Sequence, residues 1–251
     1  METFFFDIET SPLPERELAE MFPPFDPAEV KVGNLKDPEK IAAKRAEAEA
    51  NYRREFMERA ALDPLTGRVL AIGLLSEHGE FYVIGHEDEE ATLREFWTVC
   101  QGERRTDRMI GFNSRAFDLP FLIRRSFKHR VGIPCGIRCG RYWAEEMVDL
   151  REEWQLGDRQ ARGSLDTIAK YLGVGQKNGY GEDFARLWKE NRDWAVEYLR
   201  RDVELTAKIA EVLRIAELPV GQFQPSPQEN RGQSLPKREQ LSTCESYSIV
   251  K

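Results

Sequence analysis

The sequence predicts an α/β domain built on a mixed β-sheet. Two observations predict it: extended apolar segments come early, two of them as a hairpin, and later ones alternate with amphipathic helical segments. With 251 residues the chain can bury a substantial core, and one large domain is favoured over two small ones.

In chain order, Met1–Thr10 reads as the first strand. Phe4, Phe6 and Ile8 fall on one side, and Phe5, Asp7 and Glu9 on the other, because strand side chains alternate. The proline-rich Ser11–Asp26 segment reads as irregular. Lys36–Ala61 is charged and alanine-rich; Asp37 as N-cap and Pro38 at the first helical position predict a helix there. Its apolar residues are sparse, which places it on the surface. Gly67–Ser76 and Gly79–His86, joined by Glu77-His78, predict an antiparallel hairpin.

Beyond the hairpin, Glu89–Gln101 predicts a helix with Leu93, Phe96 and Trp97 inward. Asp107–Asn113 reads as a strand, followed by a helix from about Leu119 to Arg130. Asp166–Leu172 reads as a short helix and Asn191–Ala216 as a long amphipathic one. The residues from 219 to 251, rich in Pro, Gln and Ser, carry no periodicity and read as a mobile tail.

Composition narrows the function classes. No apolar run approaches the roughly 20 residues a membrane span needs, and METFFFDIET lacks the basic start of a signal peptide. The four cysteines are irregularly placed, as expected for reduced thiols in a cytoplasmic protein. A net charge of −7 counts against a protein that holds duplex DNA by neutralising phosphates. It counts little against an enzyme whose clustered carboxylates recruit divalent cations.

Three short elements concentrate chemistry. Asp7 and Glu9, two apart on a strand, share a face with Cα atoms roughly 7 Å apart, and two such carboxylates repel unless protonated or bridged by a cation. In GFNSRAFDLPFL, Asp118 precedes a helix; it reads either as an N-cap or as a further acid of the same site. In YLRRD, Tyr198 and Asp202 lie one helical turn apart, on the face that continues through Leu205 and Ile209, where an acid is unfavourable unless paired.

Taken together, D-x-E, N-x-x-x-F-D and Y-x-x-x-D in this order resemble the tyrosine branch of the DEDD superfamily of 3′–5′ exonucleases. FDIET and GFNSRAFDLPFL look like the proofreading exonuclease domain of family-B DNA polymerases and its free-standing relatives. The resemblance implies a ribonuclease H-like mixed sheet flanked by helices over residues 1–218, with a helical insertion at about 13–64. It implies two divalent ions, Mg²⁺ or Mn²⁺, held by Asp7, Glu9, Asp118 and Asp202, and Tyr198 orienting the attacking water. Thr10 would meet the 3′-hydroxyl, Asn113 would hold the strand, and Phe117 would either stack on terminal bases or belong to the core. The implied activity is metal-dependent hydrolysis from the 3′ end of single-stranded nucleic acid, DNA favoured over RNA, in a role such as DNA repair. RNA trimming and a catalytically idle binding scaffold are the competing readings.

Other features read as structural. Arg124, Arg125, Lys128, His129 and Arg130 sit at the end of a helix, where cations complement the dipole, and read as a solvated helix end. Cys135 and Cys139 near His129 lack the second ligand pair of a zinc site. GVGQKNGYG, Gly173–Gly181, reads as a flexible loop, with a substrate-adjacent lid carrying Lys177 as the alternative.

Overall fold

The computed structural model describes residues 2–101, 107–134, 137, 144–158, 160–179 and 184–216. The expected tail from 219, Cys135 and Cys139 lie outside them. The elements are β1 (Thr3–Pro12), α1 (Glu15–Met21), a 3-10 turn (Pro27–Glu29), α2 (Pro38–Ala60), β2 (Gly67–Ser76), β3 (Phe81–Ile84) and α3 (Glu89–Cys100). They continue with β4 (Arg108–Gly111), α4 (Asp118–His129), β5 (Met147–Asp149), α5 (Leu150–Gln155), α6 (Leu165–Leu172), α7 (Phe184–Glu190) and α8 (Arg192–Val212).

The five strands form one sheet in the order β3-β2-β1-β4-β5. The β1–β2 and β2–β3 pairs are antiparallel; β1–β4 and β4–β5 are parallel. The mixed sheet is thus a hairpin edge joined to a parallel half, and its parallel strands share one carboxyl edge.

The alternation in β1 sorts the two cores. Phe4, Phe6 and Ile8 join α3 and α4 residues, among them Leu93, Phe96, Leu119 and Leu122, on one face. Phe5 joins Ile168, Phe184, Leu199 and Val203 on the other, under α6, α7 and α8. Asp7 and Glu9 follow Phe5 in the alternation, so they point toward α8.

One glycine decides how near α8 comes. Gly73 is the antiparallel partner of Asp7, and a Cβ added there would stand 2.8 Å from Leu199 Cγ and 3.0 Å from Val203 Cγ2. The missing side chain lets α8 settle against the sheet beside Asp7.

Three local expectations are corrected. Ser11–Asp26 is not irregular throughout: β1 runs on to Pro12, and α1 follows from Glu15, its Leu18 packing with Leu13 and Ala60 in a small separate core. That core is lined by Phe56 and Met57 of α2, so the surface helix is anchored through its last turns. β4 ends at Gly111 rather than Asn113, because Asn113 takes a left-handed conformation with φ 63° that breaks strand geometry. Finally, Arg125 is not part of a solvated helix end. It is buried and forks onto Glu89, Nε to Oε1 at 2.9 Å and Nη2 to Oε2 at 2.6 Å. His129 reaches Glu89 Oε2 at 2.8 Å, while Arg124, Lys128 and Arg130 are exposed as expected. β5, α5 and α7 are short segments with too few residues for a period to register in the sequence.

Candidate active site

β1 carries the first two acids into the space under α8. Carboxylate oxygens of Asp7, Glu9 and Asp202 all lie within 4.8 Å of one another. Glu9 is 8% exposed and Asp202 1%, so these charges meet with little water between them. A register shift between Glu9 and Thr10 marks a β-bulge against β2, the kind of irregularity that re-aims a side chain at a strand end.

Asp118 resolves the choice left open by its sequence. The residue capping α4 is Phe117, without a side-chain cap bond. Asp118 instead accepts the backbone N–H of Ile8 through Oδ1 at 3.2 Å. The β1–β4 ladder covers only Thr3–Phe5, so beyond it β1 presents an N–H without a strand partner, and Asp118 takes it. The acid from α4 is thereby tied to the strand between Asp7 and Glu9.

The electrostatics are those of acids crowded out of water. Burial, then the charges of Asp118 and Asp202, push the Asp7 carboxyl well above the carboxylate range. Glu9 is raised likewise, by burial and then by Asp7 and Asp202. Asp118 is pushed up to about 7, chiefly by burial and against the N–H bond from Ile8. Asp202 is raised by burial although Lys177 pulls the other way. Tyr198, 1% exposed, has its phenol raised by burial and by the charges of Asp202, Glu9 and Asp7.

Lys177 supplies the cation that α8 itself does not. Its Nζ lies 2.6 Å from Asp202 Oδ2 and 5.4 Å from the centre of the Tyr198 ring. Burial pulls its pKa down, but Asp202, Asp7 and Glu9 outweigh this and raise it. The loop carrying it is held by Asp166, which accepts the Lys177 N–H at 2.9 Å, and by Arg201, which donates to Gln176 O at 3.0 Å. Lys177 therefore stands at the acids on a fastened segment, and the free-loop reading fails over the described part of it.

The remaining expected residues have partners of their own. Thr10 donates its hydroxyl proton to Ala61 O at 2.7 Å, tying the end of β1 to the end of α2. Asn113 accepts Arg151 Nη1 through Oδ1 at 3.0 Å. Phe117 is half-buried, its ring 5.6 Å from Phe121, with part in the core and part outside. Asp149 went unnoticed in the sequence. It is 2% exposed and accepts the N–H groups of Asn113, Arg115 and Arg151 at 2.8–2.9 Å. The signal available was Met147-Val148-Asp149-Leu150, an acid closing a short apolar run where an N-cap belongs.

The donor set fits divalent cations. All the candidate ligands are carboxylates, which suit hard ions such as Mg²⁺ or Mn²⁺. Lys177 offers one positive charge against three acids, and the buried Asp202 Oδ1 has no hydrogen-bond partner. A buried acceptor left so is unfavourable unless something else satisfies it.

A five-stranded mixed sheet flanked by helices, with acids gathered at the carboxyl edge of its parallel strands, defines a ribonuclease H-like α/β domain of the type found in polymerase exonuclease domains. The chain belongs to the family described as "Predicted 3'-5' exonuclease related to the exonuclease domain of PolB", which matches residues 62–209. That stretch includes Asn113, Phe117, Asp118, Tyr198 and Asp202; Asp7, Glu9 and Thr10 precede it. Among solved structures the chain is similar to the family B DNA polymerase of the hyperthermophilic archaeon Pyrobaculum calidifontis. The TM-score is 0.56 at 21% identity, covering 85% of this chain and 24% of the polymerase. The chain thus spans about a quarter of that polymerase's length. No curated protein matches it. Among the described residues no helix is long and apolar enough to cross a membrane.

Proposed function

We propose that this protein is a metal-dependent exonuclease that removes nucleotides from the 3′ end of single-stranded DNA. The observation that carries the reading is the convergence of Asp7, Glu9 and Asp202 within 4.8 Å beside Asp118, around an Asp202 oxygen without a partner. Asp7, Glu9 and Asp202 would hold one ion, and Asp7 with Asp118 a second. Such a pair, when bound, supplies the Lewis acidity that activates water and stabilises the leaving oxygen of a phosphodiester.

The chain's own groups do the positioning. Burial and neighbouring carboxylates oppose ionisation of Tyr198, so the phenol keeps its proton and orients water through a hydrogen bond rather than acting as a base. Because Thr10 spends its proton on Ala61 O, its oxygen is left to accept, which suits a terminal 3′-hydroxyl. Asn113, with Oδ1 engaged by Arg151, offers its amide N–H groups to the substrate strand. The exposed part of Phe117 is available to stack on a terminal base, a contact tolerant of sequence. Residues 1–218 form the exonuclease domain in this reading, with 13–64 inserted after β1; the family match starting at residue 62 and the separate small core around Leu18 support it.

The test is to incubate the protein with 3′- and 5′-labelled single-stranded DNA and RNA, with Mg²⁺ or Mn²⁺, beside Asp7→Ala. Stepwise shortening from the 3′ end, faster on DNA and abolished by the substitution, is expected. Faster RNA shortening would reassign the substrate, and no hydrolysis with either metal would leave a binding scaffold.

A further inference from the structure

The cations along the carboxyl edge of β1, β4 and β5 are not equivalent. Lys177 is committed to Asp202. Arg115 is committed to Glu152 at 2.7 Å and to Met147 O at 2.7 Å. Arg151 differs: its Nη1 donates to the neutral Asn113 Oδ1 at 3.0 Å, and among the described residues it makes no ion pair. A guanidinium carries five N–H donors in a planar fork, so most of its hydrogen-bonding capacity and all of its charge are uncommitted. In a chain of net charge −7, a half-buried arginine without a carboxylate partner is a binding group in waiting for an anion.

The group is also held in place. Asp149 accepts the backbone N–H of Asn113, Arg115 and Arg151, so one buried carboxylate sets the backbone on both sides of the Asn113–Arg151 pair. The left-handed turn at Asn113 swings its side chain out of the line of β4. The bond from Arg151 fixes Oδ1 as the acceptor, which leaves the Asn113 amide nitrogen as a second donor beside the guanidinium.

The location selects the ligand. β5 is two strands from β1, about 10 Å at ~4.8 Å per strand. A stacked strand advances about 3.4 Å per nucleotide. The Arg151 guanidinium is bonded at Asn113, just past β4, and not to the acids that would hold the metals, which leaves it for a second phosphate along the same strand. We propose that Arg151, with the Asn113 amide beside it, clamps a backbone phosphate upstream of the scissile bond and sets the register of the 3′ end. This rests on the exonuclease reading above.

The experiment is equilibrium binding of 5′-fluorescent single-stranded DNA with Ca²⁺ over a range of salt, using wild type, Arg151→Gln and Arg151→Lys. Arg151→Gln should bind about tenfold more weakly, and its log K against log salt should flatten by about 0.7, the value for one phosphate contact on a single strand. Arg151→Lys should keep the wild-type slope. Oligonucleotides with one neutral methylphosphonate linkage, scanned along the strand, should reveal one upstream position that weakens wild type and leaves Arg151→Gln unaffected. A weaker Arg151→Gln with the wild-type slope and linkage profile would mean that Arg151 only supports Asn113, overturning the clamp. So would a wild type indifferent to every upstream neutral linkage, whatever the variants do. If wild type hydrolyses DNA in Mg²⁺ in either case, the exonuclease reading survives; if it neither binds nor hydrolyses, both fall.

Discussion

Asp118→Asn separates the stability of the acidic cluster from its use. The substitution keeps an oxygen that can accept the Ile8 N–H and removes only the ionisation. In the folded, metal-free protein the carboxyl is raised from 3.8 to about 7, so between those values the native state holds a proton that the unfolded chain has released. Stability then falls as pH rises through this window and levels off above about 7. Going from pH 5 to pH 8 crosses about two units of it, about 2.7 kcal/mol at ~1.36 kcal/mol per unit. Asn has no such dependence. Neutralising Asp118 also removes one of the charges that raise Asp7, which adds to the difference. Urea unfolding in EDTA at pH 5 and pH 8 should show that wild type loses at least about 2.7 kcal/mol more than the variant between the two. With Mg²⁺ at pH 8 wild type should regain stability relative to the variant, because an ion that binds only the native state adds about 2.7 kcal/mol at a hundredfold excess over its dissociation constant. Equal pH dependence in both proteins without metal would refute the assignment of a buried, neutral Asp118.

Three further outcomes follow from contacts already described. Gly73→Ala should push α8 off the sheet at Leu199 and Val203, lowering stability by about 1–3 kcal/mol; nuclease rate per folded molecule should fall as well, because the same helix carries Tyr198 and Asp202. Lys177→Met leaves the buried Asp202 without its ion partner and should destabilise the metal-free protein by about 3–5 kcal/mol at pH 8. Thermal melts should show less loss as the pH is lowered, because burial raises the Asp202 carboxyl and losing Lys177 removes what opposes that rise, and less with Mg²⁺. Glu89→Gln strands the buried Arg125 and should destabilise by a similar ~3–5 kcal/mol, while the rate per folded molecule stays at the wild-type value, since this pair lies on the opposite face of the sheet from α8. Glu89 is held below its usual range by Arg125, Val69 N–H and His129 despite its burial, so its stabilisation should fade as wild type is acidified below about pH 4.5.

Much of this protein is legible in one dimension, because period and spacing are local. The alternation of β1 assigned Phe4, Phe6 and Ile8 to one core and Phe5, Asp7 and Glu9 to the other face, and the structure divides them in that way. The helical spacing of Tyr198, Asp202, Leu205 and Ile209 put them on one buried face, where all four are found. Asp37 caps α2 as the sequence suggests, accepting the Glu39 N–H at 3.0 Å.

What the sequence could not supply depends on partners far along the chain. Whether Asp118 caps its helix or serves β1 was undecidable until the short β1–β4 ladder exposed the Ile8 N–H 110 residues away. Arg125 looked like a surface cation because its partner, Glu89, comes from another helix. Asp149, Gly73 and Lys177 share this character: the role of each comes from a strand or helix that only folding brings alongside. Local pattern assigned the apolar faces and the acids that point inward from β1 and α8. That these acids converge under one helix follows from long-range packing, because the close approach of α8 depends on an absent side chain across the sheet, and on a lysine whose charge makes Asp202 tolerable there.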